Sequence, residues 1–318
     1  MTKLLEALGR PAEARLVVIV CDGLGSSHAA NVAVYRALRD GVATTAGLQV
    51  PCPWARGAVL HHQGEDVGVS LTVNAEHDTY RWGPITTAPS LLDGDGGFPR
   101  TPADLWEHAD VEEVRREVRS QVERAVLWGF DVTHLAAHLD ALCSRPEFFD
   151  VLLDVAVDYD LPISLPDPGV DLGFPARALA EEEGILVPDH VVPVPLTREA
   201  RPALEAAVAD LSPGVTELHV RPAEDTPELR AITATWAARV GDAHLVTHDW
   251  GFRAALARSG AELLGFRPLR DAQRRLRRAG GEDYGDGRQA VQVAGSSTTS
   301  RNTANAPEEP TGFTSPRM

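Results

Sequence analysis

Acidic and imidazole side chains recur in this sequence directly after short apolar runs. The run "VVIVC" ends at Asp22, and "VTHLAAHLD" carries His134 and His138. Carboxylates and imidazoles at such positions can transfer protons as general acids and bases, or can bind a divalent metal ion. Asp22 is followed by a Gly-rich segment, so the chemistry of a tight turn is the alternative explanation for this residue.

Other apolar runs are followed by polar side chains in the same way. Those on "TELHVRP" share one face of a strand because they are two residues apart. We interpret "LVTHDW" as a further strand. A single histidine at a strand end is more often a satisfied hydrogen-bonding group than a ligand. The residues that these runs would deliver are Ser70, Thr72, Asn74, Glu76, His77, Asp140, His219, Arg221, His248 and Asp249.

The elements that position these side chains alternate along the chain. Short apolar segments are separated by amphipathic helices, such as "HAANVAVYRALRD", which Gly41 would end as a C-cap. Strands that alternate with helices predict a parallel sheet, either open or closed into a barrel. Ligands of such folds bind at the carboxyl ends of the strands, where the polar residues above would meet.

Charge and composition restrict the class of protein. The chain has 318 residues and a formal net charge of −16, which excludes nucleic acids and anionic membranes as natural partners, because both require a basic surface. The three cysteines have no metal-ligand spacing and indicate reduced thiols in a cytoplasmic protein. No segment is long enough for a membrane span. A homo-oligomer is compatible with the sequence.

Two segments lack the alternating pattern. The polar and aromatic loop of residues 75–100 is long, and such loops are usually functional in compact domains. Residues 281–318 are rich in Gly, Ser, Thr, Asn and Pro and contain few aliphatic side chains. We therefore predict a domain over residues 1–280 and a disordered, low-complexity tail over residues 281–318.

Seven short segments occur in an order that is typical of one protein family. They are "CDGLGSSHAAN", "DGVATTAGLQVPCPWA", "DVGVSLTVNAEHDTYRWGP", "SLLDGDGGFPR", "VTHLAAHLDAL", "TELHVRPA" and "GFRPLRDAQ". On these segments the chain resembles the YdjC-type (ChbG/HpnK) carbohydrate deacetylases, from about Arg15 to Arg270. The resemblance implies an α/β fold of one domain, a deformed (β/α) barrel of the glycoside hydrolase/deacetylase type.

The resemblance also implies a reaction, the hydrolysis of an N-acetyl group on an amino sugar. In the family an aspartate is the general base, and a second aspartate with two histidines holds a divalent metal ion, Mg or Zn, that activates water. Here Asp22 matches the base and His138 matches one metal ligand. The remaining family positions are changed: Gly23 replaces the second aspartate, Ser70 a histidine, Ala136 an aspartate and Arg221 a histidine.

These departures predict a degraded metal site, with no cofactor, in which Asp22 and His138 are the catalytic pair. Arg221 would neutralise Asp22 or bind an anionic group. The ligand would be a small molecule such as a sugar or a sugar-bearing metabolite. The residues predicted to bind it are Ser70, Asn74, Glu76, His77, Tyr80, Arg81, Trp82, His134 and Arg221.

Three functions remain open from the sequence. The first is a metal-independent descendant that keeps the pocket, either as a repurposed acid–base enzyme or as a binding or regulatory protein. The second is a working metal-dependent deacetylase that has rebuilt its metal site. The third is a non-catalytic interaction protein. The residues that could rebuild the metal site are His77, His134, His219 and Asp140.

Overall fold

A computed structural model describes residues 2–192 and 200–281 of the chain. The segment predicted to be a disordered tail lies outside the described residues, apart from residue 281. The strands are β1 (Arg15–Leu24), β2 (Thr45–Leu48), β3 (Val67–Leu71), β4 (Val132–Ala137), β5 (His190–Val192), β6 (Gly214–Val220) and β7 (Glu262–Leu263).

The helices that accompany these strands are mostly short. Several begin at a side-chain cap: Ser27 accepts from the Ala30 N–H at 3.1 Å, and Asp110 caps the longest helix in the same manner. They are α1 (Lys3–Ala7), α2 (His28–Asp40), α3 (Ala55–His61), α4 (Pro102–His108), α5 (Val111–Leu127), α6 (Pro146–Tyr159), α7 (Ala176–Glu182), α8 (Arg201–Ala209), α9 (Pro227–Ile232), α10 (Trp236–His248), α11 (Trp250–Ser259) and α12 (Arg267–Gly281).

The strands form one parallel sheet in the order β4-β3-β2-β1-β6-β5, with β7 paired to the start of β1. Beyond β4 the sheet continues as single hydrogen bonds rather than as a further strand. Leu135 pairs with Ile163, and the Ile163 N–H donates to the Leu186 carbonyl at 3.1 Å. The sheet therefore curves round as a deformed barrel of one domain, which confirms the predicted fold class.

Alternate side chains of β1 enter two different apolar clusters. Val17 and Ile19 pack against the outer helices, whereas Leu16 and Val18 pack with residues of α1 and α12 at the amino end of the barrel. Successive side chains of a strand point to opposite faces, so the second series faces the interior. Asp22 continues that interior series at the carboxyl end of β1, as the sequence pattern predicts.

The predicted strand "LVTHDW" is wrong, because its first part lies in α10. His248 is the last residue of that helix and is exposed, and Asp249 caps α11 by accepting from the Phe252 N–H at 2.7 Å. Neither side chain is directed to the end of a strand. None of the helices in residues 2–192 and 200–281 combines the length and apolar character needed to cross a bilayer.

Candidate active site

The carboxyl ends of β1 and β6 hold an ion pair. Asp22 Oδ2 lies 3.0 Å from Nδ1 of His219, and Nε2 of the same ring lies 3.1 Å from Oε1 of Glu217. Glu217 is fully buried, while the Asp22 side chain is 31% exposed and therefore reachable by a ligand. The register explains the grouping, because Val18 pairs with Glu217 and Val20 with His219, which places all these side chains on the interior face.

Charge neutralisation inside this pair fixes its protonation. Burial would raise the pKa of Asp22, but the charge and hydrogen bond of His219, with smaller contributions from Arg221 and His138, lower it overall. Burial would lower the pKa of His219, but Asp22 and Glu217 raise it well above its ordinary value of 6.5. His219 is thus an imidazolium between two carboxylates, and Asp22 is ionised.

Asp22 is neither a turn-forming residue nor hydrogen-bonded to Arg221. The turn after β1 is closed by Gly23, whose carbonyl accepts from the Ser26 N–H at 3.0 Å and from its hydroxyl at 2.7 Å. The carboxylate of Asp22 takes no part in it. The hydrogen-bonded cation beside Asp22 is His219 rather than Arg221, the residue proposed from the sequence to neutralise it, although Arg221 also contributes its charge.

A second imidazole–carboxylate pair lies at the end of β4. His138 Nε2 is 3.0 Å from Oε2 of Glu76, and His138 Nδ1 is 2.8 Å from the side-chain nitrogen of Gln49. The chain turns sharply after His138, because Leu139 has a left-handed φ of 53°. Glu76 and His138 were both predicted from the sequence, whereas Gln49 was not.

Glu76 is shared by two imidazoles. His77 Nε2 lies 3.6 Å from Oε1 of Glu76, whereas His138 contacts Oε2. Burial would raise the pKa of Glu76, but the two histidines, with His138 first, lower it overall. Burial lowers the pKa of His77, which is therefore neutral at pH 7. These three residues form a largely buried polar cluster that remains partly exposed at the barrel opening.

Three predicted residues lie deeper in the barrel. His134 is fully buried and stacked on Phe266, with ring centroids 4.0 Å apart, and burial lowers its pKa to about 4. A Cβ on Gly68 would lie 2.3 Å from the His134 ring, so the ring occupies space that this glycine leaves free. Ser70, 8% exposed, pairs in register with Ala136, and Asn74 is fully buried and donates to the Pro99 carbonyl at 3.1 Å.

The predicted residues of the long loop make contacts within the loop or with the turn after β1. The indole of Trp82 donates to the Asn74 carbonyl at 2.8 Å, and Arg81 donates to the Asp93 carboxylate and to loop carbonyls. The Tyr80 hydroxyl donates to the Ser26 carbonyl at 2.9 Å, which ties the loop to the turn after Asp22. These contacts fix one wall of the opening, and the binding roles of all three residues stay predictions.

The donors present do not fit the divalent metal that the family resemblance implies. Gly23 offers no ligand atom, and its φ of +89° is one that L side chains rarely adopt. Both ring nitrogens of His138 already face other side chains. Among the described residues no group of three or more His, Cys, Asp or Glu side chains is arranged to hold a metal ion, whereas structural and catalytic zinc sites use three or four protein ligands.

Most of the residues proposed to rebuild such a site are already engaged with other side chains. His219 is held between Asp22 and Glu217, and His134 lies beneath the opening. His77 shares Glu76 with His138. Burial raises the pKa of Asp140, which lies close enough to His219 and Asp22 to feel their charges. The geometry supports proton transfer and charge stabilisation better than metal coordination.

Comparisons with known proteins place this site in a family. Residues 16–258 match the family model described as "YdjC-like protein". A carbohydrate deacetylase of Thermus thermophilus is 35% identical over 254 residues, which cover 77% of this chain and 90% of that protein. A carbohydrate deacetylase of Geobacillus stearothermophilus is 31% identical over 170 residues, which cover 51% of this chain and 66% of that protein.

A solved structure shares the fold. It is a crystal structure from Enterococcus faecalis described as a cellobiose-phosphate cleavage protein, with a TM-score of 0.71 and 19% identity, covering 80% of this chain and 99% of the other. The ordered sequence motifs, the deformed barrel and the family match over most of the chain agree. The chain belongs to the YdjC-like family.

Proposed function

We propose that this protein binds a carbohydrate at the carboxyl end of its barrel and acts on it by proton transfer, without the metal-dependent deacetylation of its family. The single observation that supports the proposal is the pairing of two imidazoles with carboxylates, Asp22–His219 and Glu76–His138. The carbohydrate is inferred from the relatives, which are named carbohydrate deacetylases.

The two pairs would divide the chemistry. The His219 imidazolium directs its two ring nitrogens to Asp22 and Glu217, so its role is to keep Asp22 ionised and oriented. Asp22, ionised and partly exposed, is positioned to accept a proton from a substrate O–H or N–H group or from water. At the second pair, His138 Nε2 would donate a proton to the leaving group of the substrate, and solvent would replace that proton and take up the one on Asp22 before the next turnover.

The competing function is metal-dependent deacetylation of an N-acetyl amino sugar. It is favoured by the Thermus thermophilus relative, which this chain matches over 90% of its length. Its metal would be held by His138 together with further donors, but no three His, Cys, Asp or Glu side chains of the described residues are grouped to hold a metal ion. The two functions differ in their requirement for a metal, so a chelator separates them.

The test is acetate release from N-acetylglucosamine oligomers by the purified full chain, with chelator, without chelator, and with Zn²⁺ or Mg²⁺ added back. We expect no chelator-sensitive release. Binding of N-acetylglucosamine to chelator-treated protein is measured in parallel by calorimetry. Asp22→Asn and His138→Ala should alter binding, whereas His108→Ala, which removes an exposed histidine, should not. Release of acetate that chelator abolishes and metal restores would establish the competing function instead.

A further inference from the structure

Two histidines lie one turn apart at the end of α10. They are His244 and His248, and the centroids of their rings are 6.0 Å apart. Both residues are exposed. Because residues four apart on a helix are neighbours on its surface, the two imidazoles share one face of α10.

The helix is what brings these two rings together. The sequence pattern predicts a strand for "LVTHDW", which contains His248, and on a strand two residues four apart are about 13 Å from each other. On a helix the same two residues are separated by about 6 Å along the axis. The pair is therefore a property of the fold that the strand prediction conceals.

The ring nitrogens of this pair are available to a ligand. Within residues 2–192 and 200–281, neither ring makes a hydrogen bond or an ion pair. The rings of His138 and His219, in contrast, contact other side chains through both nitrogens. A free imidazole nitrogen is a good ligand for Zn²⁺, Cu²⁺ and Ni²⁺.

The spacing of the rings fits one shared ion. A bond from Zn²⁺ to an imidazole nitrogen is about 2.0–2.1 Å long, so two rings that share an ion have centroids roughly 5–6 Å apart. The observed 6.0 Å lies at the upper end of that range. The ring planes are inclined at 57°, and because both side chains are exposed, rotation about their side-chain bonds can direct a nitrogen of each ring to the same ion.

The position of the pair also favours a cation. His248 is the last residue of α10, where the helix carries its partial negative charge, and the net charge of −16 attracts cations to the protein. The Val246 carbonyl accepts from the Val42 N–H at 2.8 Å, and Val42 precedes β2. This end of α10 therefore lies at the amino end of the sheet, away from Asp22.

We propose that His244 and His248 bind a divalent transition-metal ion, with Cu²⁺ held more tightly than Zn²⁺, as the general order of affinities for nitrogen ligands implies. Water completes the coordination, so the ion exchanges more readily than one held by the three or four ligands of structural and catalytic zinc sites. A bound ion links the two residues and stabilises the end of α10. This site is separate from the barrel opening and does not depend on the proposed function.

The experiment titrates chelator-treated full-length protein with Cu²⁺ in a buffer that does not bind metal, followed by calorimetry and by electron paramagnetic resonance. We expect one Cu²⁺ per chain, with hyperfine coupling to the nitrogens of two imidazoles. His244→Ala and His248→Ala should each weaken binding about tenfold or more, because even the loss of a side chain that only supports a metal ligand costs about tenfold in affinity.

A matched variant and a second measurement control this result. His108→Ala removes an exposed histidine of α4 and should leave the affinity and the spectrum unchanged. Cu²⁺ should raise the midpoint of thermal unfolding of the wild type, because a ligand of the folded state stabilises it. It should not raise the midpoint of the double variant, His244→Ala with His248→Ala.

Two outcomes would overturn the proposal. Equal affinity of the wild type and the double variant for Cu²⁺ would show that the ion is bound by other groups. Binding that is lost in His138→Ala but kept in His248→Ala would place the ion at the barrel opening and support the competing function instead.

Discussion

The two imidazole–carboxylate pairs of the site are built in different ways. Asp22, His219 and Glu217 all lie on or directly after neighbouring strands, and the register of β1 with β6 fixes their spacing. Glu76 lies on a loop, and His138 lies in a turn with left-handed backbone. The first pair is therefore a fixed ionic centre, and we expect the second pair to adjust when a ligand binds.

We therefore expect the first pair, Asp22 and His219, to contribute more to the free energy of unfolding than the second pair. His219→Ala leaves Asp22 and Glu217 facing each other without a cation, and removal of one partner from a buried ion pair typically costs about 3 kcal/mol. We expect the free energy of unfolding to fall by about that amount. Urea denaturation at pH 7 measures it.

Two further variants test whether the uncompensated charges cause this loss of stability. His219→Ala combined with Glu217→Gln removes the uncompensated buried charge and should recover much of the loss. His108→Ala, an exposed histidine of α4, should change the free energy of unfolding by less than about 0.5 kcal/mol. If His219→Ala is as mild as His108→Ala, the ionic centre is not a stabilising feature.

The pairs also predict two separate limbs of a pH–stability curve. Because the pKa of His219 is raised in the folded state, its contribution is complete below its ordinary value of 6.5 and is lost as the pH rises through the raised pKa. The pKa values of Asp22 and Glu76 are lowered, so their contributions are present above the ordinary values of 3.8 and 4.5 and are lost as the pH falls through the lowered ones.

The contributions of these three groups are therefore all complete from about pH 5 to about pH 6.5, and the lowered pKa values of His77 and His134 place the greatest free energy of unfolding near the upper end of that range. Urea titrations across the pH range, repeated on two variants, test the assignment. His219→Gln should flatten the alkaline limb, and Glu76→Gln should flatten the acidic limb. An alkaline limb that is the same in His219→Gln as in the wild type would show that another group titrates there.

A third prediction asks whether the family's metal site can be restored beside the first pair. Gly23→Asp places an L side chain at a φ of +89°, so we expect a loss of about 1–2 kcal/mol in thermal or urea unfolding. Gly94→Asp adds the same charge at an exposed glycine with open space around it and should cost much less.

Metal binding gives a second measurement for the substitution at Gly23. Gly23→Asp together with Ser70→His returns a carboxylate and an imidazole to the family's ligand positions, and equilibrium dialysis should then detect tighter Zn²⁺ binding than in the wild type. Zn²⁺ binding by the wild type that equals that of the double variant would mean that the chain already holds a metal site.

What the sequence predicts and what it misses differ between the two pairs. Asp22 and His138 are visible because each follows an apolar run at the end of a predicted strand. Gln49 is 89 residues from His138, and only the sheet order brings them together. Glu217 lies two residues before His219 on the same face of β6, so the segment "TELHV" also carries a signal for this residue.

The position of Arg239 beside the end of β6 is not predictable from the sequence for a different reason. The short apolar run "AHLVT" is compatible with a strand and with a buried helix segment, and its length does not distinguish the two. In the structure it continues α10 from Trp236, so Arg239 lies on the first turn of a helix that docks against the end of β6. Tertiary packing decides that assignment, and periodicity does not.

The smallest predicted effect concerns Gln49, which orients the second pair. Its side-chain nitrogen lies 2.8 Å from Nδ1 of His138, so Gln49→Ala removes one hydrogen bond, worth about 1 kcal/mol or less in unfolding. The sharper readout is nitrogen NMR of the imidazoles, in which the His138 signals should move while those of His219 stay in place. Gln49→Glu should move them differently, because a carboxylate can only accept from the ring. If the His219 signals shift as much as those of His138, the two pairs are coupled and do not act as separate units.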